Sequence, residues 1–324
     1  MMKNLLQPRE LLRALAPGEP VSGEALADGI GVTRAAVWKH VAALRKRGLP
    51  VDARTGLGYS LPWPTQLLDA DAVATRLEDG AGSLEVHWEL DSTSSELARR
   101  QDGLPDLAVV LAESQSAGRG RRGRAWLSPP GLNLYLSCLK RFERGFAGLS
   151  GLSLAVGVCV VRALEDAGVA GAHLKWPNDV MTDSGKLAGI LVELGGEYQG
   201  PCTAIVGVGV NVRLPRTVRE AIGQPAVDLA ELAGGAPPDR NVLAACLVAR
   251  LRRGLAMFEE GGFAAFADDF ARLDWLHGKS LRLDGARGAF EGVGAGVDAR
   301  GALRVRTADG EVRVDSAEVT VRAT

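Results

Sequence analysis

The segment AESQSAGRGRRGRAW (residues 112–126) restricts the possible folds more than any other part of this chain. Gly118, Gly120 and Gly123 follow an apolar, strand-like run and satisfy the spacing GxGxxG. A dinucleotide-binding turn with that spacing must open a helix. Here the chain continues as RAWLSPPGLN, and Pro129 and Pro130 forbid a helix at that point. Arg119, Arg121, Arg122 and Arg124 are interleaved with the glycines. Such a loop brings backbone close to a ligand while guanidinium groups neutralise carboxylate and phosphate oxygens. A solvated linker or an RNA-binding segment has a similar composition, but the position between two apolar strands favours a site loop.

With 324 residues the chain has room for two or three domains, each with its own core. Residues 1–61 form one small unit. Leu11, Leu12 and Leu15 suit the buried face of a first helix after Pro8. Ser22 is placed to cap a second helix, with Ala25 and Leu26 facing inward, and Thr33 to cap a third, RAAVWKHVAALRKR. On the third helix Val37, Val41 and Leu44 make one apolar stripe. VDARTGLGYSL then reads as a short hairpin. The proline-marked stretch PWPTQ (62–66) reads as a linker. From 67 to 273, strand-like runs (LAVVLAE, NLYLSCL, AGILVEL, AIVGVGVNV) alternate with two long helical patterns, as in a mixed α/β domain. Residues 274–324 carry short strands between turns, with Asp309-Gly310 as a hairpin signal, and fit a small SH3-like β-barrel. The fold class expected is therefore multidomain α+β.

In the first unit, Ala27, Gly31 and Val37 have the mutual spacing of a helix-turn-helix: a small contact residue, a turn glycine and an apolar anchor. Residues 31–60 carry six Arg/Lys against one acid, Asp52, a local charge of about +5 within a chain of net charge −1. That is the electrostatic footprint of DNA binding. Arg34, Lys39, His40 and Arg45 on the third helix, and Arg54 near the hairpin tip, are the candidate DNA-binding residues of a winged variant. The alternative is a three-helix packing module with solvated charges.

Two further motifs carry polar chemistry. LKWPND (174–179) sets Lys175, Asn178 and Asp179 on a rigid turn, and SGKLAGILVE (184–193) sets Lys186 at a strand mouth. Each alone reads equally as turn chemistry or a solvated edge, and Asn211, closing AIVGVGV, reads as a loop asparagine. The scattered cysteines (138, 159, 202, 246) and histidines (40, 87, 173, 277) argue against a zinc site or a disulfide framework. No apolar run reaches the ~20 residues of a membrane span, and the charged first residues do not suit a secretory signal, so the cytoplasm is expected. GxSxG and HExxH are absent. Cations and glycines without an evident nucleophile suit a reaction whose barrier is mainly electrostatic, such as carboxylate attack on the α-phosphate of ATP.

Taken together, DSTSSELA (91–98), ESQSAGRGRRGRAW (113–126), LKWPND, GKLAGILVE and GVGVN resemble the bacterial biotin protein ligase family. With an N-terminal winged helix-turn-helix ending in GLGYSLP, the chain is similar over nearly its full length to the bifunctional form, ligase plus biotin-operon repressor. The resemblance implies two steps: biotin and MgATP give biotinyl-5′-AMP, and the acyl group passes to a lysine of a biotin carboxyl carrier protein. Lys186, Arg121 and Lys175 would be catalytic. Ser92, Thr93, Gln115, Gly118, Arg119, Arg121, Lys186 and Gly189 would bind biotin, and Trp126, Lys175, Asn178 and Asn211 the nucleotide. Biotin is then the substrate and ATP with Mg2+ the co-substrate, with no protein-bound metal. Besides the carrier protein, the implied partners are operator DNA and, with adenylate bound, a second copy of the chain; no membrane is implied. Ser114 replaces a tyrosine often seen in the family, an exchange expected to be without consequence. RLPRTVREAIGQPAVDL lacks a tryptophan that some relatives place near Pro225. The rival readings are a lipoyl or octanoyl ligase, a ligand-sensing repressor without transferase activity, and a ligase whose N-terminal unit only packs.

Overall fold

The computed structural model describes residues 3–78, 80–143, 145–196, 200–285, 288–315 and 320–323. At the N-terminus, α1 (Lys3–Leu15), α2 (Gly23–Ile30) and α3 (Arg34–Lys46) precede a hairpin of β1 (Asp52–Arg54) and β2 (Gly58–Ser60). Helix α1 begins before Pro8 rather than after it. The proline removes one N–H donor, while the turns beyond it bury Leu11, Leu12 and Leu15 completely. Ser22 Oγ accepts from the Ala25 N–H at 3.0 Å and Thr33 Oγ1 from the Ala36 N–H at 3.2 Å, caps contributing about 1 kcal/mol each. Gly31, in the left-handed region at φ 67°, ends α2. Because α2 starts at Gly23, its inward residues are Leu26 and Ala27; Ala25, expected inside, is exposed.

The central unit contains α4 (Ala70–Ala74), β3 (Leu84–Leu90), α5 (Thr93–Arg100), β4 (Val109–Gln115), β5 (Leu134–Phe142), α6 (Leu152–Asp166), β6 (His173–Lys175), β7 (Asp179–Thr182), β8 (Gly185–Gly196), β9 (Cys202–Val210), α7 (Arg216–Ile222), α8 (Leu229–Leu232), α9 (Arg240–Gly261) and α10 (Ala267–Leu273). Its seven-stranded sheet has the order β3-β4-β5-β9-β8-β7-β6 and is parallel only at β3/β4. The period-two alternation of strands divides its residues between two faces. Leu134, Leu136 and Cys138 of β5, Ala188 and Ile190 of β8, and Val206, Val208 and Val210 of β9 join the core under α6 and α9. On the opposite face, α5 covers Val110, Leu139 and Ile205 through Leu97. Nearby Gly189, Gly207 and Gly209 leave that face bare, and this strip becomes the floor of a cleft.

The run Phe146–Asp166, at 21 residues, is long and apolar enough to cross a bilayer, contrary to the sequence expectation. It contains α6, whose apolar residues are buried between α9 and the sheet, so its composition is that of a core helix.

The C-terminal unit is a five-stranded antiparallel sheet of β10 (Ser280–Gly285), β11 (Gly288–Val297), β12 (Leu303–Thr307), β13 (Gly310–Val314) and β14 (Thr320–Ala323), in the order β13-β12-β11-β10-β14. The expected hairpin forms, but Gly310 pairs with Thr307, so the two turn residues are Ala308 and Asp309. Leu281, Leu283, Leu303 and Val305 share the central core, and Trp176 Nε1 donates to the Gly301 carbonyl at 3.0 Å. The N-terminal core likewise takes in Leu132 from the central unit.

Candidate active site

The cleft over the bare face has a volume of about 840 Å3. At one end it is a polar pocket built by the start of α5. Thr93 N–H and Oγ1 both donate to Gln115 Oε1, at 2.9 and 3.2 Å, and Gln115 Nε2 donates to Ser128 Oγ at 2.9 Å. Ser137 Oγ lies 2.7 Å from Thr93 Oγ1 and 2.9 Å from Ser94 Oγ. Ser92, Thr93 and Ser94 are nearly fully buried. This network fixes donor and acceptor positions for a small polar ring or amide.

The arginine-rich segment is a tight hairpin. Trp126 N–H donates to the Gly118 carbonyl at 2.9 Å and Gly120 N–H to the Arg124 carbonyl at 2.7 Å. A methyl group at Gly118 would lie 2.4 Å from the Trp126 carbonyl oxygen, so the hairpin closes only over a glycine. It lays the Trp126 indole on the floor, where an added Cβ at Gly209 would come within 2.4 Å of it and one at Gly189 within 2.8 Å. The indole Nε1 is buried without a hydrogen-bond partner among the described residues.

Lys186, at the mouth of β8, brings Nζ to 2.6 Å from Asp179 Oδ1 and 5.4 Å from the Trp126 ring. Arg121 Nη1 donates to Asn178 Oδ1 at 3.1 Å. Burial, then the neighbouring Arg122 charge, push the Arg121 pKa down, while Asp179 opposes the shift. Lys175 faces the Trp275 ring at 5.7 Å. Two asparagines act as braces: Asn178 Nδ2 donates to the Ile190 carbonyl at 2.8 Å, and Asn211 Nδ2 to the Lys186 and Val227 carbonyls at 3.2 Å each. The segment 225–227 is held by main chain. Lys186 N–H donates to the Pro225 carbonyl and Val227 N–H to the Lys186 carbonyl, both at 3.1 Å.

The cleft therefore brings together Ser92, Thr93, Gln115, Arg119, Arg121, Trp126, Lys175, Asn178, Lys186, Gly189 and Asn211. Gly118 does not line it and serves the hairpin instead. Arg119 reaches outward to Glu193 at 2.7 Å. Sequence reasoning missed Ser94, Ser128 and Ser137; a lone serine within an apolar strand run was the available signal for Ser137. It also left Asp179 without a role.

Residues 73–211 match the biotin/lipoate A/B protein ligase family and residues 9–60 a helix-turn-helix domain. The bifunctional ligase/repressor BirA of Salmonella typhimurium is 40% identical over 302 residues, 93% of each chain. The chain belongs to this bifunctional ligase/repressor family. Its counterpart in Escherichia coli K12 is also 40% identical over 93% of both chains. The biotin protein ligase of Aquifex aeolicus, solved with biotin and ATP, superposes with a TM-score of 0.65 at 31% identity, covering 75% of this chain and 99% of that one.

In this ligase/repressor the candidate DNA-binding residues lie on the winged unit. Arg34, Lys39 and Arg54 are exposed and His40 is half-buried. Arg45 is exposed but directs its guanidinium to the Val51 carbonyl (Nε at 2.7 Å), tying α3 to the wing. Arg47, counted in the local charge, turns to the central unit: Nη2 donates to Ser114 Oγ at 2.6 Å and Nη1 pairs with Glu89 at 2.7 Å. Ser114 thus receives the end of α3.

Proposed function

We propose that this chain activates biotin with ATP, transfers it to a lysine of a biotin carboxyl carrier protein, and represses transcription in response to the adenylate. The observation that carries the enzymatic part is one cleft holding Lys186 and Arg121 beside the Thr93–Gln115–Ser128–Ser137 pocket. The biotin ring system occupies that pocket, with its carboxylate directed toward Lys186. A carboxylate oxygen attacks the α-phosphorus; the bond from that phosphorus to the oxygen bridging the α- and β-phosphates breaks and pyrophosphate leaves. Lys186 and Arg121 offset the charge that accumulates on the phosphoryl oxygens. The lysine amine of the carrier then attacks the acyl carbon, the C–O bond to phosphate breaks, AMP leaves and the amine loses a proton. We assign Ser92, Thr93, Gln115 and Gly189 to biotin and Trp126 and Lys175 to the nucleotide. Asn178 and Asn211 brace Arg121 and Lys186.

Among the described residues no cluster of three His, Cys, Asp or Glu exists, and Asp179 is the one acid among those lining the cleft. Such a donor set fits a magnesium ion carried by the phosphates of ATP, touched by at most one protein carboxylate. That ion would neutralise phosphate charge.

We assign the winged helix to residues 1–61, the ligase unit to 67–273 and the barrel-like unit to 274–324, and we place the protein in the cytoplasm, where ATP, carrier and DNA meet. The adenylate-bound form is proposed to dimerise, presenting two α3 helices about one DNA turn (~34 Å) or a multiple apart. Pyrophosphate release with MgATP, compared between biotin and lipoate and followed by labelling of a carrier domain, tests the ligase. DNA binding with and without biotin and ATP tests the repressor. Turnover with lipoate alone, or biotin binding without turnover, would overturn the enzymatic assignment.

A further inference from the structure

The outward face of α3 has an unusual composition. Ala35, Ala42 and Ala43 are exposed on it, with Arg34, Lys39 and Lys46 beside them. Trp38 stands among them at 62% exposure, the most exposed large apolar side chain among the described residues. It lies one turn from both Arg34 and Ala42, away from the stripe of Val37, Val41 and Leu44 that holds the helix to its core. An indole left in water forgoes the favourable burial of a large apolar surface. The small alanines around it remove the side chains that would keep the helix axis away from a flat or grooved partner. The flanking cations make that partner polyanionic.

We infer that Trp38 is a specificity-determining residue of the DNA-reading face, its indole packing on the C5-methyl edge of thymine in the major groove. The inference rests on the repressor reading above. A major groove about 12 Å wide admits a helix, and the thymine methyl is the one apolar feature its floor displays. Arg34, Lys39 and Lys46 contact phosphates and set the register; such contacts carry no sequence information themselves. Trp38 supplies an apolar contact that phosphates and cytosine or guanine edges cannot match.

The test uses the full chain with biotin and MgATP. Sites are selected from a random duplex library, and affinity for the selected site is compared with that for a scrambled one. Single thymines in the selected site are then replaced by uracil, which lacks only the methyl group. In the parent, uracil at one or two positions per half-site is expected to weaken binding about 5-fold. Trp38→Ala is expected to lower the selected-to-scrambled ratio by about 10-fold, to bind scrambled DNA within 2-fold of the parent, and to be indifferent to uracil at those positions. Biotin-dependent pyrophosphate release at the parental rate shows that the variant is folded, since Trp38 lies outside the ligase cleft. Equal uracil penalties in parent and variant, or an unchanged ratio, overturn the inference while leaving the repressor reading intact. So does a variant that loses self-association without losing discrimination, because Trp38 would then be a contact between protein chains. Failure of the parent to select any site overturns both.

Discussion

Arg240, at the start of α9, is 2% exposed, and its partner Glu113 on β4 is 3% exposed. Arg240 Nη1 donates to the Gln66 carbonyl at 2.8 Å and to Glu113 Oε2 at 3.0 Å, and Nη2 donates to the Asn133 carbonyl at 2.6 Å. Glu113 also accepts the Leu68 N–H. One ion pair thus ties the interdomain linker, the sheet and α9 together. It also supports Asn133, whose Oδ1 accepts the Val212 N–H at 2.9 Å, next to Asn211. Arg240→Met keeps much of the volume but removes the guanidinium from two carbonyls and leaves the buried Glu113 carboxylate without its counter-charge, still accepting the Leu68 N–H. Breaking one side of a buried pair costs about 3–5 kcal/mol. With m near 3 kcal/mol/M, the urea midpoint should fall by roughly 1 M or more. The assay is urea unfolding followed by circular dichroism and, separately, by loss of pyrophosphate release, since a chain of several units need not unfold in one step. Glu113→Gln keeps an acceptor for Leu68. The double variant should therefore be less destabilised than the sum of the singles by about 2 kcal/mol. Because the pair is buried, the loss should persist at 1 M salt. A cost below about 1 kcal/mol for Arg240→Met, or additivity within about 0.5 kcal/mol, would refute the reasoning.

Three other outcomes are expected. Lys186→Ala should reduce biotin-dependent pyrophosphate release by at least about 100-fold, the scale of losing one transition-state charge contact, with an unchanged circular dichroism spectrum; undiminished release would remove Lys186 from the chemistry. Arg47→Ala should loosen the winged unit from the central one, read as faster proteolysis in the linker 62–66; unchanged cleavage would mean that packing at Leu132 and at Gly48, where an added Cβ would lie 2.8 Å from Val218, suffices alone. Burial raises the Asp274 carboxyl above its usual range, and Oδ2 has no hydrogen-bond partner among the described residues. Its contribution to stability is therefore fully present below the unfolded value of ~3.9 and is lost as pH rises through the raised folded value. Asp274→Asn retains the acceptor for Leu276 and should stabilise the protein at pH 7 by roughly 1 kcal/mol, with no gain at pH 3; a loss at pH 7 would contradict the assignment.

What was legible in the sequence was whatever depends on local chemistry. The caps at Ser22 and Thr33 and the Val37–Val41–Leu44 stripe each depend on residues within two turns of one another, and each forms. Pro129 and Pro130 likewise ruled out a helix after the arginine run. The site motifs were recognisable as a set, but their division of labour was not. Asn178 and Asn211 read as ligand contacts; both line the cleft, and their Nδ2 groups also donate to the carbonyls of Ile190, Lys186 and Val227. That role requires β8 to lie between the KWPND turn and the 225–227 segment, a long-range arrangement that spacing does not encode. Arg47 is the sharpest case. In the sequence it counts only toward the local positive charge, and the docking of the end of α3 against β3 and β4 turns it toward Glu89 and Ser114. The same docking sets the turn after α3 against Val218 of α7 and against Pro129, just beyond the arginine hairpin. The turn after α3 therefore rests on the two segments that bound the cleft, so any movement of either segment must be accommodated at the foot of α3. Charge counting includes Arg47 in the basic patch of residues 31–60; the three-dimensional contacts assign it to the joint between the winged and central units.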